Sequence, residues 1–82
     1  MTGENPRARQ MISAEHWFRS MAVTMRRRAR ALERLHRDSR LGHGDGMALT
    51  TGAQLCRAEA SRLVREANTA LRLACGEIEA QR

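Results

Sequence analysis

The chain contains no tyrosine, one phenylalanine and one tryptophan, and it has two valines and two isoleucines among its 82 residues. These aromatic and β-branched types are the ones enriched in strands, so a sheet is poorly supported. Alanine, leucine, arginine, glutamate and methionine dominate instead, and all of them favour helices. The composition therefore predicts an all-α protein.

Lysine is also absent: all 15 basic residues are arginines, and the formal net charge is +6. A GC-rich genome raises the content of both arginine and alanine, so the number of arginines is weak evidence of function. Their distribution along the chain is more informative. Residues 1–40 hold ten arginines and four acidic residues, whereas residues 41–82 hold five of each. The excess of positive charge lies entirely in the first half.

Long apolar runs are missing as well. None approaches the roughly 20 residues needed to span a bilayer, and the first residues, "MTGENPRARQ", lack the apolar core of a signal peptide. We therefore expect a soluble, cytoplasmic protein of one small domain, whose core is marginal at this length.

Cys56 and Cys75 lie nineteen residues apart. On one helix that is about 28 Å, beyond disulfide reach, so reduced thiols are predicted, with a bridge between chains as the alternative.

The first half of the chain predicts a polar segment over residues 1–12, partly helical, followed by a basic helix over residues 13–41. Two signals compete for the helix start: Asn5 as a cap with Pro6 at the first helical position, or Ser13 as the cap. An apolar stripe with three- and four-residue spacing follows, with Ala22 and Ala29 beside it. It consists of Met11, Ala14, Phe18, Met21, Met25, Arg28, Leu32 and Leu35.

The second half predicts a glycine-rich turn over residues 42–50 and a helix over residues 51–79. Gly42 is expected to stop the first helix. Thr51 opens a capping-box pattern for the second helix, and a start near Asp45 is the alternative. Alanine then recurs at every seventh position, where nothing larger than a methyl group holds another backbone away. These positions are Ala53, Ala60, Ala67 and Ala74.

Both patterns agree with an antiparallel two-helix hairpin folded near residue 45, which brings Phe18 close to Leu71 and Met25 close to Val64. Two helices leave one side of their shared apolar surface uncovered, so we expect a four-helix bundle completed by dimerisation or by a partner protein. The residues predicted for this association stripe are Phe18, Met21, Met25, Leu32, Leu35, Ala53, Ala60, Leu63, Ala67, Leu71 and Ala74.

The densest feature is "MRRRARALERLHRDSR", in which seven arginines lie between Arg26 and Arg40. Guanidinium groups bind phosphate, so a row of them is a candidate polyanion-binding surface. There are two alternatives to polyanion binding: the arginines form a solvated helix face, or they dock on an acidic protein or a membrane surface. Because alanine, leucine and histidine separate the arginines, binding to nucleic acid would use its backbone rather than its bases. The candidate residues share one helix face: Arg27, Arg30, Arg34 and Arg37.

Two charged residues of the first helix raise further expectations. Glu33 can pair with Arg37, one helical turn away. Arg28 lies on the apolar stripe and must either reach solvent or pair with Glu59 or Glu66, because a buried unpaired charge is costly.

Sites for chemistry are scarce. Glu33 and His36 form a Glu-x-x-His pair, which contributes to di-iron sites in helical bundles. Glu33 is predicted to project outward, however, so a metal-binding bundle is a remote alternative, and we expect no metal or other cofactor. No serine or cysteine has a recognisable base beside it, and no phosphate-binding loop follows a strand. Neither catalysis nor a small-molecule substrate is indicated.

We therefore expect a small, non-enzymatic helical interaction or regulatory protein that acts by packing against itself or against a partner protein. Its size and charge distribution would suit an accessory factor, such as a modulator encoded by a phage or another mobile element. A protein that binds the phosphate backbone of nucleic acid is the second hypothesis.

Overall fold

The computed structural model describes residues 5–38, 40 and 42–81. Within these ranges it contains two helices and no strand: α1 (Pro6–Asp38) and α2 (His43–Ala80). The helices pack against each other along a hairpin of 64 × 15 × 12 Å. They run antiparallel, since Asn5 before α1 donates from its side-chain amide to the carbonyl of Glu77 near the end of α2, at 3.3 Å. The predicted all-α hairpin is confirmed.

The first helix begins at the earlier of the two predicted starts. The Asn5 side-chain oxygen accepts hydrogen bonds from the backbone amides of Arg7 and Ala8, both at 3.1 Å. Pro6 occupies the first helical position, where its missing N–H costs nothing. Ser13 lies inside α1, so most of the segment predicted as a polar lead-in is helical.

The connection between the helices is shorter than predicted. α1 ends at Asp38 and α2 begins at His43, with Gly42 in an extended conformation as its N-cap. Thr51 therefore lies within α2, and most of the predicted turn over residues 42–50 is helix. No described residue has a positive φ angle, so glycine is not used here for a left-handed turn.

Two glycines of α2 allow the helices to approach closely. A Cβ atom on Gly46 would lie 2.9 Å from Cε1 of the His36 ring, and one on Gly52 would lie 3.3 Å from a methyl carbon of Leu32. Glycine lowers helix propensity by roughly 1 kcal/mol relative to alanine. Tertiary packing outweighs that preference, which is why helix continues through a segment that reads as a turn.

Small residues at every seventh position form the contact between the helices. In α2 these are the four predicted alanines, and all four are buried. In α1 the buried positions also recur every seven residues. We call this set the alanine seam; it comprises Ala8, Glu15, Ala22 and Ala29 of α1 with Ala53, Ala60, Ala67 and Ala74 of α2.

The seam of α1 lies one residue away from the predicted stripe. Ala22 is buried where Met21 was expected, and Ala29 is buried where Arg28 was expected. The physical reason is that closely approaching helices need small residues at the centre, so larger side chains move to the edges. Arg28 and Leu35 are exposed. The remaining stripe residues are partly buried beside the seam: Met11, Ala14, Phe18, Met21, Met25 and Leu32.

The register is close to the predicted one. Ala22 of α1 clusters with Ala60 and Leu63 of α2, and both Met25 and Val64 pack against that cluster, as predicted. Together with the approach of His36 to Gly46, this contact centres the chain reversal near residue 42 rather than 45.

The core is thin. The buried apolar residues of the described chain are eight alanines and one leucine, and no large side chain is fully buried. The chain exposes 6131 Å², whereas a compact monomer of 9.3 kDa would expose about 5000 Å². The radius of gyration is 18.5 Å, against about 12 Å for a compact domain of this length.

Enlarging a seam alanine should destabilise the hairpin. We expect Ala60→Leu to lower the free energy of unfolding by about 1–3 kcal/mol, because the larger side chain forces the helices apart. Ala58→Leu, at an exposed position of the same helix, should change it by less than about 0.5 kcal/mol. Urea unfolding followed by circular dichroism measures both. Equal losses would show that the close approach of the helices does not constrain the fold.

Candidate functional site

The alanine seam has two flanks with different chemistry. On one flank, Glu33 of α1 contacts Arg57 of α2. On the other, Leu32 of α1 approaches Gly52 of α2. At about 100° per residue, consecutive residues such as Leu32 and Glu33 point to opposite sides of the seam. The two flanks can therefore carry separate functions.

Arginines concentrate on the first flank. An open groove of about 300 Å³ is lined there by four arginines and one glutamate. We call it the arginine groove; its residues are Arg30, Glu33, Arg34, Arg37 and Arg57.

The single carboxylate of the arginine groove is paired across the hairpin. Glu33 accepts two hydrogen bonds from the Arg57 guanidinium, at 2.6 and 3.1 Å, and the contact joins α1 to α2. The hydrogen bond from Arg57 lowers the pKa of Glu33, and the charges of Arg57, Arg37 and Arg30 act in the same direction. The partner of Glu33 is thus Arg57, and the expected pairing with Arg37 within α1 is replaced by this bidentate contact.

The groove contains three of the four predicted polyanion-binding residues. Arg30, Arg34 and Arg37 line it, whereas Arg27 is exposed on α1 outside it. Arg57 was missed, because it belongs to the other helix. The signal was present in the sequence: Arg57 lies four residues after Ala53 in the alanine repeat, and Glu33 lies four residues after Ala29.

The second flank is apolar at both ends. Leu35 and Trp17 lie within about 60° of Leu32 around α1, and Leu55 and Leu73 lie within about 60° of Gly52 around α2. All four side chains are exposed, Trp17 by 58% and Leu55 by 66%. Trp17 packs edge-on against Phe18 with ring centroids 5.4 Å apart. We call this set the apolar flank; it comprises Trp17, Leu35, Leu55 and Leu73.

The predicted association stripe divides between the seam and its surroundings. Its alanines and Leu63 are buried between the helices of one chain. Phe18, Met21, Met25 and Leu32 are partly buried, and Leu35 and Leu71 are exposed. The stripe thus mainly closes the hairpin itself, and three of the four residues of the apolar flank were not predicted.

Charged residues separate the two ends of the apolar flank. Arg28 is exposed there, so it reaches solvent rather than crossing the seam. Glu59, one of its expected partners, instead accepts two hydrogen bonds from Arg62, both at 2.7 Å. The hydrogen bond from Arg62 lowers the pKa of Glu59. We call Arg28, Glu59, Arg62 and Glu66 the central charge band; its formal charge is zero.

One charged residue lies in the seam itself. Glu15 is only 8% exposed. It is hydrogen-bonded to Arg19, whose guanidinium also donates to the side-chain oxygen of Asn68 in α2 at 2.9 Å. Its seven-residue spacing from Ala8 and Ala22 was the available signal.

Other chemistry is sparse in the described part of the chain. No group of three or more histidine, cysteine, aspartate or glutamate side chains is placed to hold a metal ion there. Cys75 is exposed and Cys56 is partly buried, and both are free thiols. Neither described helix has a stretch long and apolar enough to cross a membrane.

Comparison of the chain with protein-family models, with curated proteins and with solved structures finds no match in any of the three. Function must therefore be inferred from the two flanks of the seam and from the charges they carry.

The Glu15–Arg19 pair should respond asymmetrically to substitution. We expect Arg19→Ala to destabilise the fold by about 1–3 kcal/mol, because it leaves a buried carboxylate without its partner. Glu15→Ala should stay within about 1 kcal/mol of wild type, because the methyl group continues the seam and the Arg19 guanidinium returns to water. The double variant should recover most of the loss. Urea unfolding at neutral pH measures all three.

Arg26→Ala is the matched control for that series, because it removes an exposed arginine one heptad further along α1. If Arg19→Ala and Glu15→Ala cost the same, the carboxylate is not the group that requires pairing.

Acidification should remove the contribution of the Glu33–Arg57 pair. The pKa of folded Glu33 lies below its ordinary value of 4.5, so the pair stabilises the fold above that value and is lost as the pH falls below it. The Tm difference between wild type and Glu33→Gln should be present at neutral pH and shrink progressively as the pH falls below 4.5. Glu79→Gln, another exposed carboxylate, controls for net charge. A difference that persists in acid would contradict this assignment.

Proposed function

We propose that this chain is a non-enzymatic interaction protein whose hairpin associates with a second copy through the apolar flank. The observation that carries the proposal is the excess of exposed surface over a compact monomer. That excess, about 1100 Å², is similar to the roughly 800 Å² that each partner buries in a standard protein–protein interface. Four of the nine large apolar side chains that are exposed in the described residues belong to the apolar flank, which supports the same conclusion.

Charge favours a second copy on the apolar flank rather than on the opposite one. The central charge band contains two arginines and two glutamates, so a copy facing it meets both signs. The arginine groove carries four arginines against one glutamate, and two such grooves would repel each other. The interface therefore uses the side of the seam on which Leu32 approaches Gly52.

The spacing of the apolar residues suggests an antiparallel orientation of the two hairpins. Trp17 and Leu35 are eighteen residues apart in α1, and Leu55 and Leu73 are eighteen residues apart in α2. Both intervals are five helical turns, or about 27 Å. An antiparallel two-fold axis would place the Trp17 end of one hairpin on the Leu55 end of the other, and both contacts would form at once.

The same orientation separates the positive charge. Seven arginines lie between Arg26 and Arg40, near the chain reversal, whereas Glu77 and Glu79 lie at the opposite end of the hairpin. In an antiparallel dimer each arginine-rich end lies beside the opposite end of the partner copy, where Glu77 and Glu79 offset the charges of Arg7 and Arg9. A parallel dimer would bring the two arginine-rich ends together, at an electrostatic cost.

Light scattering tests the association directly. We expect a solution mass of twice 9.3 kDa at micromolar concentrations, and loss of the dimer in Leu55→Lys. The matched control is Met47→Lys, which changes a side chain of similar exposure on α2 outside the apolar flank (56% against 66%). Both positions are open to solvent in one chain, so neither lysine should prevent the hairpin from folding.

Trp17 reports on the orientation, since it is the single tryptophan of the chain. In the antiparallel dimer it packs near Leu55 of the second copy, so its emission should shift to the blue as the concentration rises. Leu55→Lys should abolish that shift, and Met47→Lys should leave it intact. A wild-type chain that stays monomeric, or a dimer that Leu55→Lys does not weaken, would overturn the proposal.

A further inference from the structure

The arginine groove lies on the flank opposite the proposed dimer interface, so it stays open whether or not the chain dimerises. Its cationic groups come from both helices: Arg30, Arg34 and Arg37 from α1 and Arg57 from α2. Its lining is assembled only in the folded hairpin, because the Glu33–Arg57 contact joins α1 to α2.

Pairing within the groove leaves most of its positive charge without a carboxylate. Both Glu33 oxygens are engaged by Arg57. In the described residues, no carboxylate forms an ion pair with Arg30, Arg34 or Arg37. The four guanidiniums and one carboxylate carry a formal charge of +3, and like charges held this close favour binding of an anion.

The shape of the groove suits a linear anion. Arg30, Arg34 and Arg37 extend along α1 for about 10 Å. Phosphates of one nucleic-acid strand advance about 3.4 Å each along the axis, so the row can face about three of them. Guanidinium forks match the geometry of phosphate oxygens. No large apolar side chain lines the groove, which argues against insertion into a membrane surface.

We propose that the arginine groove binds the phosphate backbone of nucleic acid, with Arg30, Arg34 and Arg37 contacting phosphates. Arg57 acts as a positioning residue that neutralises Glu33. The groove contains no aromatic, asparagine or glutamine side chain, so it reads no base edges and binding is independent of sequence. This inference does not rest on dimerisation.

Fluorescence anisotropy with a labelled 20-base-pair duplex and a labelled 20-nucleotide single strand tests the site. Three neutralised phosphates give a slope of about −2.7 in log K against log salt for duplex, so affinity should fall roughly 40-fold between 50 and 200 mM salt. The triple variant Arg30→Gln, Arg34→Gln, Arg37→Gln should lose at least tenfold in affinity at 50 mM salt and most of the salt dependence.

The matched control removes the same net charge from exposed positions elsewhere on the hairpin, with Arg7→Gln, Arg65→Gln and Arg72→Gln. It should retain binding within about threefold, because these residues do not line the groove. Equal losses in the two triple variants would mean that only net charge attracts the nucleic acid, and the groove would not be the site.

Glu33→Gln gives a test of opposite sign. It frees Arg57 and raises the charge of the groove by one, so it should tighten binding several-fold, whereas Glu79→Gln, at an exposed position outside the groove, should not. Undetectable binding at 50 mM salt would overturn the proposal. So would tighter binding of poly-glutamate or of vesicles rich in phosphatidylserine, since either would assign the groove to an acidic protein or to a membrane surface.

Discussion

The structure depends on one steric condition: nothing larger than a methyl group stands between the two helices at most seam positions. Where an alanine, or Gly46, occupies every seventh position, the backbones can come together until their small residues touch. Large side chains cannot share that space and must lie beside the seam. The thin core, the elongated shape and the exposed apolar residues all follow from this arrangement.

The same condition separates two chemistries on one small molecule. Because most bulky and charged residues lie on the flanks, each flank forms an extended surface along the hairpin. One flank has apolar ends and a neutral centre, and the other collects arginines from both helices. A larger core would have absorbed the leucines and left less surface for recognition. Compared with such a fold, the hairpin buries less apolar area but exposes two surfaces that a partner can contact.

Much of this could be predicted from the sequence, and the errors have a common cause. The alanine repeat of α2 was visible because its four members are uninterrupted. The equivalent repeat of α1 contains Glu15, and a stripe of larger apolar residues runs beside it. A pattern weighted by hydrophobicity predicts Met21 rather than Ala22 as the buried residue, whereas close packing of the helices buries Ala22. The glycines near residue 45 were interpreted as a turn. Their actual role, which is to let α1 approach α2, becomes visible only when the position of the other helix is known.

The candidate sites show a similar limit. Arg30, Arg34 and Arg37 share a face of one helix, so spacing alone groups them. Arg57 joins them only across the hairpin, and an error of one residue in register moves it out of reach. Leu55 and Leu73 were missed for the same reason, since their common side with Trp17 is defined only once both seams are known.

A repeat of identical small residues has a further consequence for Glu15. If α1 slid past α2 by seven residues, or about 10 Å, alanines would again face alanines, and the seam alone would distinguish the two states poorly. Glu15 removes that equivalence, because its partner Arg19 is held by Asn68 of α2 in only one of them. The buried Glu15 thus selects one register between two helices whose alanine repeat alone would allow several.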